Sequence, residues 1–185
     1  MIGFMRAFIA LPLPDTIRDA LEDVQARLKV GRRADPETFH ITLAYLGDNV
    51  PDRDLEAAHE ALESLAAGPL TLRIDGLETF GSGTPRVLVA TVQPDPGLTA
   101  LQRKIRSLLH GAGLMLPRER FRPHVTLARF PPGPGAGVEV ELAAFMGRNA
   151  TFGSGNFTVR EVILYRSTLT GDGAIHRAMA EYPLL

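Results

Sequence analysis

The chain has 185 residues, 45% hydrophobic and 22% charged, which fits one ordinary globular domain and excludes a disordered chain or a large multidomain machine. The formal net charge of −1 excludes a broad basic surface for a long nucleic acid duplex, so any anion site must be local. Only Lys29 and Lys104 are lysines, and the other 18 basic residues are arginines. Two explanations of this bias stay open: the codon usage of a GC-rich genome, or the recognition of phosphate by guanidinium groups.

The sequence contains no cysteine, which excludes disulfides, thiolate zinc sites, iron–sulfur clusters and cysteine nucleophiles. Residues 1–10 are apolar, but they lack a basic leader region, and Pro12 and Pro14 follow at once. This pattern predicts a first strand rather than a signal peptide. No apolar run approaches the ~18 residues that span a bilayer, so we expect a cytoplasmic protein without membrane association.

Hydrophobic periodicity and turn residues predict alternating strands and helices along the chain. The predicted helices cover residues 15–30, 52–67, 95–109 and 140–146. The predicted strands cover residues 1–10, 38–46, 70–77, 86–92, 123–130, 157–167 and 174–182, with a glycine-rich link at 81–85 and a Pro/Gly loop at 131–135. Hairpin-like strand pairs between the helices indicate an α+β fold with antiparallel sheets, in a single domain over residues 1–185.

Two short motifs of the same pattern, His-x-Thr-Leu, lie 84 positions apart, each inside a predicted strand. The chain holds only 5 histidines, so coincidence is a poor explanation of the pair. Side chains two positions apart on a strand point to the same face, so His40 shares a face with Thr42, and His124 with Thr126. The aliphatic residues between them point to the core. The repetition predicts two strands that face each other across a cleft, related by a pseudo-twofold axis.

Two imidazoles in one cleft are suited to acid–base catalysis at neutral pH. The unperturbed pKa of histidine, about 6.5, allows one ring to act as base while the other acts as acid. This pair suits cleavage of a phosphodiester, because one ring can activate water while the other protonates the leaving oxygen. The hydroxyls of Thr42 and Thr126 can donate hydrogen bonds to the phosphoryl oxygens. The residues alone do not decide which histidine is the acid.

A metal site is the alternative interpretation of a histidine pair. It needs a third or fourth ligand, and no cluster of His, Asp or Glu with ligand spacing lies beside either motif. We therefore expect a reaction that uses no metal and no cofactor.

Residues 38–47 and 121–129 resemble the paired motifs of the 2H phosphoesterases, and within them those of the RNA 2′,3′-cyclic phosphodiesterases, historically called 2′-5′ RNA ligases. The opening residues 6–10 with Leu13 and Pro14, and the closing residues 164–167 and 182–184, are also similar to that family. The resemblance spans essentially the whole chain. It implies a bilobal fold of two similar lobes of antiparallel sheet and helices around a central cleft.

The resemblance also implies a reaction, the hydrolysis of a terminal RNA 2′,3′-cyclic phosphate to a 2′-phosphomonoester. In that family pattern His40 is the proton donor to the departing 3′ oxygen and His124 the proton acceptor from water, with Thr42 and Thr126 holding the phosphate. The reverse reaction, with a 5′-hydroxyl in place of water, forms a 2′-5′ linkage without ATP. We expect RNA 3′ ends with a cyclic phosphate as partners, tRNA fragments being candidates, and a monomeric enzyme.

The segment around His124 is rich in arginine, with four arginines and one glutamate between positions 118 and 129. By strand parity Arg122 shares the cleft face, whereas Arg129 points away unless a bulge intervenes. The family pattern favours Arg129 nonetheless, so we take both as candidate substrate-binding residues. Arg86, which opens a strand after the glycine-rich link, is a third candidate, although a solvated or structural charge is the simpler interpretation.

The chain has no tryptophan, so a base that stacks at the cleft mouth must use phenylalanine or tyrosine. Phe80 is the best placed by its loop position. Among the other histidines, His59 is expected at the surface or boundary of a helix, and His110 at the end of the third predicted helix, where its charged form favours the negative end of the helix dipole. His176, in the last predicted strand, has no partner pattern. Two alternatives to the leading function remain: a phosphodiesterase for small cyclic-phosphate nucleotides, and a non-catalytic module that binds RNA ends or nucleotides.

Overall fold

The computed structural model describes residues 4–171 and 173–185. It contains four helices, α1 to α4, and a single 3₁₀ turn at Pro36–Thr38; the helices are Asp15–Ala26, Asp52–Glu63, Pro96–Gly111 and Ala136–Arg148. The strands β1 to β10 are Phe4–Pro12, Arg32–Arg33, His40–Pro51, Leu70–Leu72, Ile74–Phe80, Val87–Val92, His124–Arg129, Phe157–Val159, Glu161–Thr170 and Gly173–Pro183. The first predicted strand begins at residue 1, and its first three residues lie outside the described part of the chain.

Two four-stranded sheets form the body of the molecule. The first has the strand order β10-β9-β1-β3, the second has the order β2-β7-β6-β5, and β4 pairs with β8 in a small sheet of two strands. Every pairing between these strands is antiparallel. The α+β fold with antiparallel sheets is therefore confirmed, and each motif strand lies in a different sheet.

Two of the helices pack on the sheet that does not contain the strand before them in the chain. Helices α2 and α3, from the middle of the chain, pack on β3 of the first sheet, whereas α1, which follows the first strand, packs on β7 of the second sheet. The face of α1 that is buried carries Ile17, Leu21 and Val24. The two sheets therefore share a continuous core rather than forming two separate halves of the chain.

Several predicted boundaries differ from the structure for a physical reason. Helix α1 ends at Ala26 and α2 at Glu63, before the predicted 30 and 67, because Leu28 and Leu65 pack on the core from the irregular chain after each helix. Helix α4 is longer than the predicted 140–146, since only Leu142 and Phe145 are buried on it and so short an apolar pattern hides its ends.

Two predicted strands are each divided into two. Residues 70–77 form β4 and β5, and residues 157–167 begin as β8 and continue as β9. In both cases the chain changes its pairing partner without leaving the extended conformation, so the side-chain alternation gives no sign of the break. The two-residue strand β2 is absent from the prediction, because two exposed arginines carry no apolar pattern.

The glycine-rich link at 81–85 is a tight hairpin loop between β5 and β6, as predicted. Across its base the backbone N–H of Arg86 donates to the carbonyl of Phe80, at an N–O distance of 2.8 Å. Gly81 has φ 155°, and a Cβ there would lie 2.0 Å from the carbonyl oxygen of Thr84. Only glycine fits this position, and the loop in turn fixes Phe80 at the end of β5. No helix in residues 4–171 or 173–185 is long and apolar enough to cross a membrane.

Candidate active site

The two motif strands have the same pattern of burial over six residues. In β3 and in β7 the histidine and threonine are half-buried, and the aliphatic residues that alternate with them are buried. Ile41 and Val125, for example, have no exposed surface. The strands β3 and β7 lie against each other, although they belong to different sheets. The structure thus brings His40 and Thr42 near their counterparts, and the charge of His124 acts on His40.

A bulge in each motif strand reverses the side-chain parity after the threonine. In β7, Ala128 is paired with Leu88 and Thr126 with Val89, so Leu127 is an extra residue in the ladder. Because one extra residue flips the alternation, Arg129 returns to the face of Thr126. The sequence predicts Arg129 on the cleft face only if a bulge intervenes, and the structure contains that bulge.

The bulge is repeated in the other motif strand. Ala44 pairs with Ile9 and Thr42 with Ala10, which makes Leu43 the extra residue of β3. By the same parity argument, Tyr45 takes the position in the first motif that Arg129 takes in the second.

Two buried glutamines satisfy the carbonyl groups of the bulged leucines. The side-chain amide of Gln25 on α1 donates to the carbonyls of Leu127 and Ala34, at 2.8 and 2.7 Å. That of Gln102 on α3 donates to the carbonyl of Leu43 at 3.4 Å. Each bulge is therefore held by a helix. Sequence analysis missed both glutamines, although a glutamine on the apolar face of a helix is a visible signal.

Each site histidine is oriented by the backbone two residues before it. The Nδ1–H of His40 donates to the carbonyl of Thr38, and the Nδ1–H of His124 donates to the carbonyl of Arg122, both at 2.6 Å. A carbonyl can only accept, so Nδ1 carries the proton in both rings. In the neutral rings Nε2 is then the free acceptor. The hydroxyl of Thr42 donates to Nε2 of His40 at 3.0 Å.

Aromatic side chains pack on both site histidines. Phe8 stacks on His40, with ring centroids 4.6 Å apart, and Tyr165 stacks on Phe8 at 5.2 Å. Phe80 contacts His124 edge to face, with the centroids 4.9 Å apart. The structure thus places Phe80 beside His124. Its role in base stacking stays a prediction.

His176 is a third histidine in this cluster, and sequence analysis missed it. Its ring lies edge-on to His40 and to Phe8, with centroid distances of 5.3 and 4.9 Å. No motif surrounds His176, because it meets these rings only through the pairing of β10 with β9 and of β9 with β1. The other two histidines are exposed, as predicted: His59 on α2, and His110 at the end of α3.

The environment of the cluster disfavours the charged form of all three rings. Burial lowers the pKa of His40 to about 4, with smaller contributions from His176, His124 and Arg129, against the raising effect of the Thr38 carbonyl. Burial also lowers the pKa of His124, as do Arg122 and Arg129. Burial and the charge of Arg6 lower the pKa of His176, against the raising effect of a hydrogen bond with the backbone of Ile175. Both motif histidines are therefore neutral at pH 7 in the free protein.

The three candidate arginines differ in their surroundings. Burial and the facing charge of Arg6 lower the pKa of Arg129, and Arg129 pairs with no carboxylate in the described part of the chain. Arg122 instead forms an ion pair with Glu78, and its guanidinium lies 4.1 Å from the centroid of the Phe80 ring.

The third candidate, Arg86, is exposed at the end of the hairpin loop, and the structure gives its side chain no contact with either histidine. Of the three, Arg129 is the one whose charge lowers the pKa of both His40 and His124. Substrate binding by each of the three arginines stays a prediction. Within the described residues, no group of three or more His, Asp or Glu side chains is arranged to hold a metal ion.

Comparison with known proteins identifies the family. A family model described as the 2'-5' RNA ligase superfamily matches residues 13–171. The chain belongs to this superfamily. The sequence resemblance to the 2′-5′ RNA ligases is therefore confirmed.

Relatives of this superfamily match over nearly the whole chain. The RNA 2',3'-cyclic phosphodiesterase of Geobacillus stearothermophilus is 32% identical over 96% of this chain, although the chain spans only 57% of that protein. The RNA 2',3'-cyclic phosphodiesterase of Archaeoglobus fulgidus is 28% identical, with 94% of this chain and 97% of the relative covered.

Solved structures of the superfamily share the fold. The protein TT0787 of Thermus thermophilus superimposes with a TM-score of 0.77 at 27% identity, over 97% of this chain and 98% of that one. The E. coli LigT structure in complex with NADP+ gives 0.74 at 25% identity, over 98% of both chains. The predicted fold of the 2H phosphoesterases is thus confirmed for this member of the 2'-5' RNA ligase superfamily.

Proposed function

We propose that the protein hydrolyses the 2′,3′-cyclic phosphate at RNA 3′ ends to a 2′-phosphomonoester, with two histidines as acid and base and without a metal. The observation that carries the proposal is the paired arrangement of His40 and His124. Both rings keep their proton on Nδ1, through a backbone carbonyl at 2.6 Å, and are left with Nε2 for proton transfer. A module that only binds RNA ends has no need of two matched proton-transfer groups.

In the proposed reaction the oxygen of water attacks phosphorus while the bond from phosphorus to the 3′ oxygen breaks. Nε2 of His124 takes the proton of the water, and Nε2 of His40 gives its proton to the 3′ oxygen. The hydroxyls of Thr42 and Thr126 donate to the non-bridging oxygens, and Arg129 offsets the charge that gathers on them. Assigning the acid to His40 and the base to His124 follows the family resemblance.

Binding of the anionic substrate favours the uptake of a proton from solvent by His40. In the free protein burial holds the pKa of His40 at about 4, which favours a neutral ring. A phosphate anion bound beside the ring favours the imidazolium and raises this pKa. The enzyme–substrate complex is then the state in which one ring is charged and the other neutral.

The same displacement at phosphorus takes place when an RNA 5′-hydroxyl replaces water as the nucleophile. We propose that the site can join a cyclic phosphate end to that hydroxyl as a 2′-5′ linkage, without ATP. We further propose that the chain works as a monomer in the cytoplasm, as a single domain over residues 1–185, with tRNA fragments among its candidate substrates. Analytical ultracentrifugation tests the monomer: a dimer at micromolar concentration would contradict it.

The deciding experiment incubates an oligoribonucleotide that ends in a 2′,3′-cyclic phosphate with the protein, in the presence of EDTA, and maps the product end. We expect a 2′-phosphate from the wild type, and losses of about a thousandfold or more in kcat for His40→Ala and for His124→Ala. His110→Ala, at an exposed histidine, is the matched control and should retain full activity.

Other results of this experiment distinguish the remaining hypotheses. Full activity of either site variant contradicts the two-histidine mechanism, and loss of activity in EDTA contradicts metal independence. Hydrolysis of nucleoside 2′,3′-cyclic phosphates but not of the oligoribonucleotide points to small nucleotides as substrates. Binding of the oligoribonucleotide without turnover identifies a binding module.

A further inference from the structure

Three polar side chains lie side by side across the first sheet. Arg6 on β1 is the ladder partner of Ser167 on β9, and Ser167 is the partner of His176 on β10. Since neighbouring strands are ~4.8 Å apart, the three form one row, which we call the Arg6 row. It faces the cleft, because His176 contacts the ring of His40, and Phe8, two positions after Arg6, stacks on that same ring.

Two of these side chains bury a polar atom without a hydrogen-bond partner. In the part of the chain that the structure describes, nothing bonds the hydroxyl of Ser167 or the Nδ1 of His176, and both atoms are inaccessible to solvent. Ser167 as a whole is only 6% exposed. Buried polar atoms are nearly always satisfied, so two unsatisfied atoms in adjacent positions mark a place where a polar group is missing.

The third side chain, Arg6, is oriented by two neighbours and has further N–H groups that can donate hydrogen bonds. Its Nε lies 3.3 Å from a carboxylate oxygen of Asp48, and its guanidinium carbon lies 5.5 Å from the centroid of the Tyr45 ring. Apart from these two contacts, Arg6 has no partner among the residues described. Its charge also reaches His176 and Arg129, on both sides of the cleft, and lowers the pKa of each. The field at the row is therefore positive.

An oriented guanidinium beside unsatisfied polar atoms is suited to one class of ligand, a phosphate anion. A guanidinium can donate two parallel hydrogen bonds to phosphoryl oxygens. The ring of His176 carries at least one N–H and Ser167 carries a hydroxyl, so both side chains can add donors for the anion.

We propose that the Arg6 row binds the phosphate on the 5′ side of the terminal nucleotide, while His40 and His124 act on the cyclic phosphate of that same nucleotide. The inference rests on the proposed function. The ring centroid of His176, one member of the row, lies 5.3 Å from the ring centroid of His40. This separation suits two phosphates joined by a single ribose. The cleft would then bind both phosphates of one nucleotide.

The test compares three substrates: adenosine 2′,3′-cyclic phosphate, the same nucleotide with a 5′-phosphate, and a dinucleotide that ends in the cyclic phosphate. For the wild type we expect kcat/KM to rise by about tenfold to a hundredfold when the 5′-phosphate is present, as for one charge-assisted contact. In Arg6→Gln this rise in kcat/KM with the 5′-phosphate should shrink to less than threefold, roughly. Ser167→Ala should reduce it in part.

Arg177→Gln is the matched control, because Arg177 follows His176 on β10, is exposed, carries the same charge as Arg6 and lies outside the cavity that Arg6 and Ser167 line. This variant should keep the full preference for the 5′-phosphate. Equal loss in Arg177→Gln and Arg6→Gln would show a general effect of positive charge and overturn the subsite. The dinucleotide distinguishes the source of the phosphate: a gain equal to or above that of the 5′-phosphate identifies an RNA chain, and a smaller gain a free nucleotide.

A binding measurement keeps this inference separate from the proposed reaction. Adenosine 5′-monophosphate and adenosine are titrated into the wild type and followed by the NMR signals of the His176 ring. We expect the monophosphate alone to shift them, and the shift to be lost in Arg6→Gln. No shift with the monophosphate refutes the subsite. Hydrolysis of all three substrates at equal rates also refutes it but leaves the proposed function intact, whereas hydrolysis of none refutes the proposed function.

Discussion

The chemistry that we propose for the site depends on single atoms of two histidine rings. A carbonyl two residues upstream fixes each Nδ1 proton, and the strand alternation places a threonine hydroxyl beside each ring on the same face. The same enclosure that orients the rings makes their charged forms unfavourable. Orientation and acidity are therefore set together in this cleft.

We expect a bell-shaped dependence of kcat/KM on pH whose maximum lies below pH 6.5. The free enzyme determines kcat/KM, and in it both rings have a pKa below the ordinary value, that of His40 being about 4. The histidine that must be protonated loses its proton as pH rises through that lowered pKa, so activity falls on the alkaline side earlier than for unperturbed rings. Steady-state rates on a nucleoside 2′,3′-cyclic phosphate, measured from about pH 4 to pH 8, test this.

The exposed histidine of α2 provides the control for this profile. His59→Ala should leave the profile unchanged, since His59 lies outside the cluster and bonds to Tyr182. A maximum at or above pH 6.5, or a flat profile, contradicts the assignment of the two rings as acid and base.

At the scale of elements, the two bulges decide which side chains meet in the cleft. Without the extra residue at Leu127, Arg129 would point into the core side of the sheet rather than toward Thr126. The bulged carbonyls are held by Gln25 and Gln102, which reach them from α1 and α3. The helices thus act on the site through the backbone of the motif strands.

We expect Gln25→Leu to lower the free energy of unfolding by about 1–3 kcal/mol, because it removes two buried hydrogen bonds and leaves the carbonyl of Leu127 with only the backbone N–H of Ala34 as donor. Gln102→Leu should lower it less, since that side chain makes one bond at 3.4 Å, whereas Gln25 makes two shorter ones. Urea denaturation at neutral pH measures both. Equal stability of wild type and Gln25→Leu would show that the bulge does not depend on this glutamine.

The sequence predicts the motif strands and the cleft-facing pairs of His40 with Thr42 and His124 with Thr126, because these depend on alternation within one strand. It predicts Arg129 on the cleft only conditionally, since a bulge depends on the register with a neighbouring strand. It does not predict His176, which is brought to His40 by pairings between strands at opposite ends of the chain. No local sequence pattern identifies such partners.

At the scale of the whole molecule, the histidine cluster links folding to pH. In the unfolded chain His40 has an ordinary pKa of about 6.5, whereas in the folded chain burial holds it at about 4. Between these values the unfolded state binds more protons, so stability is greatest above pH 6.5 and falls as the pH drops toward 4. His124 and His176, also shifted downward, add to the same trend.

We expect the wild type to lose about 2–3 kcal/mol of unfolding free energy through His40 alone between pH 7 and pH 4. In His40→Gln this contribution is absent, so its stability should decline less over that range. Urea denaturation of both proteins at several pH values measures the difference. Parallel declines of the two proteins would show that the ring of His40 titrates normally in the folded state.

The packing of helices on strands that lie far from them in the chain affects folding during synthesis on the ribosome. Strand β1 lies between β3 and β9, and α1 covers a sheet whose motif strand is made only after residue 123. The first sheet cannot be completed until its last two strands, near the carboxyl end, have left the exit tunnel. Contacts so distant along the chain favour slow folding. Until β9 is made, the edge of β1 that pairs with it stays unpaired. We expect that a chaperone that covers this edge raises the yield of folded enzyme.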